Sequence, residues 1–317
     1  MRIVFMGTPG FAVASLEILV KNGYNIVGVV TAPDKPAGRG QQVQQSAVKE
    51  FALKHRLNIL QPVNLKDPDF ISALAALRAD LQIVVAFRML PEQVWSMPPL
   101  GTYNLHASLL PRYRGAAPIN WALINGEKET GVTTFKLKHE IDTGSILLQH
   151  KVAIAPEMTA GELHDELMRQ GAELLLQSVK KIEAGDVALK EQTALLKPGE
   201  EPRHAPKIFK DDCRINWNRS GEEVHNLIRG LSPYPCAWTT LQGADKKITF
   251  KIYRSRFQAH LPDLKAGAIE CDGKKELRVS CAGGFIYVDE LQMEGKKRMK
   301  TEEFLRGFNF AAGSFFG

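Results

Sequence analysis

The strongest constraint on the fold is an alternation in the N-terminal part of the chain. Three short runs are apolar on both faces: R-I-V-F-M at 2–6, N-I-V-G-V-V-T at 25–31 and L-Q-I-V-V-A-F at 81–87. Between them lie stretches whose apolar residues recur at helical spacing. F-A-V-A-S-L-E-I-L-V-K-N-G has that period and a stop signal at Gly23, and D-P-D-F-I-S-A-L-A-A-L-R-A-D repeats it. A strand buried on both faces needs cover above and below, and a parallel sheet flanked by helices supplies it. The expected class is therefore α/β, with a Rossmann-like, mostly parallel sheet and helices on both faces.

The pattern changes further along. Residues 161–184 read as a long amphipathic helix ended by Gly185, and 189–206 are polar and proline-bearing, as a linker would be. A helix signal at S-G-E-E-V-H-N-L-I-R-G is then followed by short alternating runs, A-W-T-T-L, K-I-T-F-K-I-Y, L-R-V-S-C and G-F-I-Y-V-D-E-L. Several short strands at that spacing predict a small barrel. The expected division is 1–188, a linker at 189–206, and a second domain at 207–317, which 317 residues can accommodate. Charge follows the same division. Of the net +6, residues 201–317 carry +5, which suits either a polyanionic partner or a solvated basic surface.

The four cysteines, Cys213, Cys236, Cys271 and Cys281, form no C-x-x-C pair. The N-terminus has no cleavage-site pattern, and no apolar run approaches the roughly 20 residues of a spanning helix. A cytoplasmic protein with reduced thiols and no membrane partner is expected. The first turn, M-G-T-P-G-F, lacks the G-x-G-x-x-G spacing that a dinucleotide site needs, and is read as structural. T-A-P-D-K-P-A-G-R-G-Q-Q-V-Q-Q-S at 31–46 is a long loop, of the kind that is usually functional or mobile.

Chemistry concentrates in N-L-H-A-S-L-L-P-R-Y-R-G at 104–115. Alternation along an extended run puts Asn104, His106 and Ser108 on one face. At the carboxyl end of a strand in an open α/β sheet, that face meets ligand. An amide offers an N–H donor of fixed charge, and an imidazole a donor or a base. A carboxylate is needed to set the imidazole's state, and Asp142 in E-I-D-T-G-S-I-L is the strongest candidate. Two readings stay open on the residues alone. His106 is a satisfied structural histidine and Asp142 a turn residue, or the three form a site where an external amine attacks a carbonyl carbon. In the second case amide and imidazolium stabilise the oxyanion and the carboxylate handles the proton. His55, His106, His139 and His150 show no short ligand spacing, so no metal is expected, and Ser108 lacks a G-x-S-x-G elbow.

The run N-L-H-A-S-L-L-P-R-Y-R-G-A-A-P-I, with E-T-G-V-T and I-D-T-G, resembles the folate-dependent formyltransferases. V-F-M-G-T-P-G-F, P-A-G-R-G and I-N-W resemble the branch that formylates methionine on initiator tRNA, and the likeness spans about residues 2–310. The resemblance implies 10-formyltetrahydrofolate as formyl-donor co-substrate and methionyl initiator tRNA as acceptor, and a monomer is expected. It implies a catalytic set of Asn104, His106 and Asp142. Folate contacts would come from Ser108, Leu109, Leu110 and Pro111, and from Phe87, Arg88, Met89 and Leu90. Arg39 would approach the acceptor stem, and the second domain would be an OB-like barrel that binds tRNA.

Two departures stand out. A-F-R occupies 86–88 where the family commonly has A-Y-G, and Q-Q-V-Q-Q follows the Arg39 loop where lysines are common. Lys207 and the basic run holding Lys296, Lys297 and Lys300 are further candidates for phosphate. Arg112 and Arg114 are open between phosphate or folate contact and a solvated loop. Trp217, Tyr234, Trp238, Phe250 and Tyr253 are read as barrel core rather than base-stacking platforms. A formyltransferase of small amines and an RNA-binding module with an inactive core are the competing functions.

Overall fold

The computed structural model describes residues 1–37, 42–196, 199, 201–242, 247–260, 264–311 and 313–317. The first sheet runs, edge to edge, through Ile146–Ala153, Glu129–Lys136, Thr102–His106, Leu81–Val85, Arg2–Gly7, Asn25–Val30 and Ile59–Leu60. Arg2–Gly7 pairs in parallel with both Asn25–Val30 and Leu81–Val85, and Leu81–Val85 pairs in parallel with Thr102–His106. Only beyond Thr102–His106 does the direction change, where Glu129–Lys136 joins antiparallel. The chain builds outward from Arg2–Gly7 in one direction and then returns to build in the other. Strand order therefore reverses beside the carboxyl ends of Arg2–Gly7 and Leu81–Val85, where such sheets hold ligands. Every residue of Leu81–Val85 is buried, as the two-sided apolar run predicted.

The helices form where the period placed them. Gly10–Lys21 buries Phe11, Leu16 and Leu19, and Gly23 follows at a φ of 74°, which glycine adopts without steric cost. Pro68–Ala76 begins behind Asp67, whose carboxylate accepts from the Asp69 amide. Ala160–Glu183 is the long amphipathic helix. In the loop at 31–46, Lys35–Ala37 pairs with Gln42–Gln44 as a short antiparallel ribbon.

The second sheet orders Ile269–Cys271, Leu277–Cys281, Gly284–Met293, Ile248–Ala259, Ala237–Gln242 and Phe315–Phe316, with Met299–Lys300 paired to Gly284–Met293. An antiparallel bridge from Ala268 to Phe315 brings the two ends together, so the barrel is nearly closed. Trp217, Ile228, Phe250, Ile252, Val279, Ile286, Leu291 and Phe316 fill it. Trp217 and Phe250 are core, as expected, and Tyr253 is buried. Tyr234 is not core, being 83% exposed.

The chain divides into two compact units whose segments interleave along the sequence. One takes Met1–Gly115, Thr130–Val152 and His164–His204; the other takes Ala116–Glu129, Ala153–Leu163 and Ala205–Gly317. Within the second, helix Pro118–Ile124 packs on helix Gly221–Leu231, and Asn120 Nδ2 donates to the Gly230 carbonyl at 2.8 Å.

Candidate active site

Thr102–His106 ends at His106, with Asn104 two residues earlier on the same face. Asn104 Oδ1 is enclosed and has no hydrogen-bond partner among the described residues. Leaving a buried amide oxygen unpaired costs about 1–3 kcal/mol, so the position is expensive unless something else fills the bond. His106 is 7% exposed. Its Nε2 lies 2.8 Å from the Tyr113 carbonyl, and since a carbonyl only accepts, that nitrogen carries the hydrogen. Nδ1 is left on the side of Asp142, 3.8 Å from Oδ2. The same Asp142 oxygen accepts from the Gly115 amide at 2.9 Å. Of the two readings open in the sequence, the structure thus brings His106 and Asp142 together.

The loop that carries Asp142 is tightly held. Its φ is 54°, a left-handed value that costs a non-glycine residue about 1 kcal/mol or more. Gly144 follows, and any Cβ there would sit 1.8 Å from the Lys136 carbonyl oxygen, so only glycine allows so close an approach. Ala86 and Tyr113 are also left-handed, at φ of 47° and 60°. Strain of this kind gathers where function needs an unusual backbone path.

Gln192 was not anticipated. It lies in the polar stretch expected to be a linker, on the 3-10 turn Gln192–Leu195, and is 2% exposed. Its Nε2 donates to the carbonyls of Asp142 at 2.7 Å and Gly144 at 2.8 Å. Its Oε1 accepts from Arg114 Nε at 3.0 Å and Nη2 at 2.7 Å. Arg114 is thus a buttress rather than a solvated loop residue, and burial lowers its pKa while Asp142 and Glu140 oppose that shift. Nearby, Lys138 and Ser145 hydrogen-bond Glu191 and hold its carboxyl below the usual range.

The S-L-L-P segment does not continue the alternation. The strand has ended, Ser108 is fully buried, and its Oγ donates to the Arg112 carbonyl at 2.6 Å. The Ser108 carbonyl accepts from Thr133 Oγ1 at 2.6 Å, and Gln149 Nε2 donates to the Leu110 carbonyl at 2.8 Å. Leu110–Pro111 is cis and both residues are buried. Leu109 lies over Gly131, where a Cβ would come within 2.6 Å of its side chain.

The strand-end segment is different. Arg88, Met89 and Leu90 line a cleft of about 900 Å³ with Val63, Leu65 and His139 among its other walls. Clefts of that size take drug-sized ligands. Arg88 spans part of it, donating to the carbonyls of Pro62 and of Val63, the latter at 2.7 Å. Its guanidinium stands 5.6 Å from the centre of the Phe87 ring, and burial lowers its pKa. Phe87 packs inward against the sheet's core rather than into the cleft.

Of the other candidates, Arg39 lies outside the described residues. Lys207, Lys296, Lys297 and Lys300 are exposed, and Lys207 Nζ stands 5.5 Å from the Phe209 ring centre. Among the described residues no group of three or more His, Cys, Asp or Glu side chains could hold a metal, and no helix is long and apolar enough to cross a membrane. All four cysteines are unpaired, and burial pushes the Cys236 thiol up to about 12.

The sheet reverses its strand order at its centre, and His106, at the end of Thr102–His106, stands beside the Asp142 carboxylate with Asn104 two residues before it. Residues 1–179 match the formyl transferase family and residues 207–309 its C-terminal domain, so this chain is one of the formyl transferases. Among them it is most of the way to a full-length match with enzymes called methionyl-tRNA formyltransferase. It is 55% identical over 310 residues to that of Bacteroides fragilis, covering 98% of this chain and 95% of the relative. It is 51% identical over 311 residues to that of Flavobacterium johnsoniae, covering 98% and 97%. Its fold is similar to the N-formyltransferase of Helicobacter canadensis, solved in complex with folinic acid and dTDP-3-aminofucose. That likeness has a TM-score of 0.65 at 20% identity, covering 91% of this chain and 98% of the other.

Proposed function

We propose that this protein transfers the formyl group of 10-formyltetrahydrofolate to the amino group of methionine esterified to initiator tRNA. The product, N-formylmethionyl-tRNA, serves translation initiation. The acceptor is the one for which its full-length relatives are named. The chemistry rests above all on one observation: Asn104, whose enclosed Oδ1 has no partner among the described residues, lies two residues before a histidine that stands beside a carboxylate.

The methionine nitrogen forms a bond to the formyl carbon, and the carbonyl electrons move onto oxygen. Those electrons then re-form the carbonyl as the bond from carbon to the folate nitrogen breaks, and that nitrogen takes up a proton as the amine gives one away. Asn104 supplies a donor of fixed charge where the oxyanion develops. The end torsion of an asparagine is broad, so the same amide presents its NH2 or its oxygen as the bond requires. His106 has its Nε2–H committed to Tyr113, so a second donation comes from Nδ1, in the imidazolium form. Asp142, beside that nitrogen, carries the proton.

The folate lies along the cleft walled by Arg88, Met89 and Leu90, with Phe87 supporting that wall from within. Ser108, Leu109, Leu110 and Pro111 form the turn that sets the site's floor. The exposed lysines Lys207, Lys296, Lys297 and Lys300, together with Arg39, attract phosphate without specifying sequence. The enzyme works as a cytoplasmic monomer.

A formylation assay tests the reading. 10-Formyltetrahydrofolate is offered with methionyl initiator tRNA, with uncharged initiator tRNA plus free methionine, and with an amino-sugar nucleotide. The expected result is formyl-methionyl-tRNA from the first alone. Formylation of the small amine alone would sink the tRNA reading, and no transfer in any arm would leave a binding module.

A further inference from the structure

We infer that Gln192 is a positioning residue for the transfer, acting by locking the Asp142 loop to the segment that seats His106. The inference rests on the reading of Asp142 as the proton carrier.

The side chain of Gln192 touches no candidate for a reacting group. It joins two segments that do. On one side it donates to the carbonyls of Asp142 and Gly144, at 2.7 and 2.8 Å, which straddle the left-handed turn. On the other it accepts twice from Arg114. Arg114 sits between Tyr113, whose carbonyl holds His106 Nε2, and Gly115, whose amide holds the Asp142 carboxylate. Both hydrogens and both acceptor sites of the amide are therefore occupied, at a residue that is 2% exposed. No other residue type does this at the same reach. Glutamate keeps the acceptors and loses both donations, and methionine keeps the shape and loses all four bonds.

Separation explains why the link is needed. Asp142 and Gln192 are 50 residues apart, and Arg114 and Gln192 are 78 apart. The 3.8 Å gap between His106 Nδ1 and Asp142 Oδ2 depends on two loops meeting. A shift of about 1 Å in such a pair can cost 100-fold in rate.

The test is single-turnover formylation of methionyl initiator tRNA by the full-length protein, as wild type, Gln192→Met, Asp142→Asn and the double variant. Gln192→Met is expected to slow the step about 10- to 100-fold, with the KM for 10-formyltetrahydrofolate within about twofold of wild type. In the Asp142→Asn background the same change is expected to cost almost nothing more, since the two act as one unit. Gln192→Glu is expected to share the loss, and it decides alone if Gln192→Met does not fold. Normal turnover in the Gln192 variants, or a loss of equal size in both backgrounds, overturns the inference. Normal turnover in Asp142→Asn, with Gln192 untouched, overturns the proton-carrier reading first and this inference with it.

Discussion

Asn104 is the residue on which the proposed chemistry turns. Its enclosed oxygen has no hydrogen-bond partner among the described residues, as is also true of Ser15 Oγ, Gln82 Nε2, Thr130 Oγ1 and His225 Nε2, but Asn104 alone of these stands two residues before a histidine beside a carboxylate. Asn104→Ala is expected to lower turnover about 10²–10³-fold, the usual cost of one oxyanion donor, with the KM for folate little changed. Near-normal turnover would remove Asn104 from the mechanism. That Asn104 and His106 share a face was legible because a two-residue period fixes it, and the approach of Asp142 to His106 was expected from residue type alone. Gln192 was not legible. It sits among polar residues before a proline, and bonds that span 50 and 78 residues leave no local pattern. Tyr234 misled in the other direction, because an aromatic's composition signal does not say which side of a barrel wall it takes.

At the scale of elements, the fold was read well wherever a period ran for several residues, and less well where it stopped. The alternation through Asn104 and His106 suggested that Ser108 faced ligand too. The strand ends at His106, and the Ser108 hydroxyl is spent on its own turn. No periodic argument sees the side-chain bonds that hold the turn after the strand, from Thr133 on the adjacent strand and Gln149 on the strand beyond that. Helix starts are easier, because their signals are local. Ser220 and Glu223 form a capping box before Gly221–Leu231, each side chain bonding the other's backbone amide. Ser220→Ala is expected to lower stability by about 1 kcal/mol. Urea unfolding would show it as a lower midpoint at an unchanged slope, and an unchanged midpoint would mean the box is ornamental.

For the molecule as a whole, the +5 of residues 201–317 is a matter of surface charge, while its stability has a pH dependence of its own. His225 sits on Gly221–Leu231 with Nδ1 3.1 Å from Ser255 Oγ and Nε2 3.7 Å from Glu157. Burial lowers its pKa below the ordinary 6.5, with Arg229 acting the same way and Glu157 and Asp289 opposing. Below 6.5 the unfolded chain therefore binds a proton that the folded chain refuses, and stability falls as the pH drops through that range. The melting temperature is expected to decline between about pH 7 and pH 5.5, and His225→Gln is expected to flatten that decline. Equal slopes for the two proteins would rule the histidine out as the cause.

The interleaving of the two units has a consequence for how the gene can be divided. Ala116–Glu129 and Ala153–Leu163 belong to the same unit as Ala205–Gly317, although both lie well upstream of it. A cut in the polar stretch near 196–203 does not part the protein into two self-sufficient halves. The upstream fragment keeps helix Pro118–Ile124, and the downstream one keeps the helix on which it packs. The upstream fragment carries the wedge that the downstream one lacks. Fragments coexpressed from a split gene would recognise one another through that shared piece, and a downstream domain transplanted alone would need Pro118–Ile124 grafted onto it.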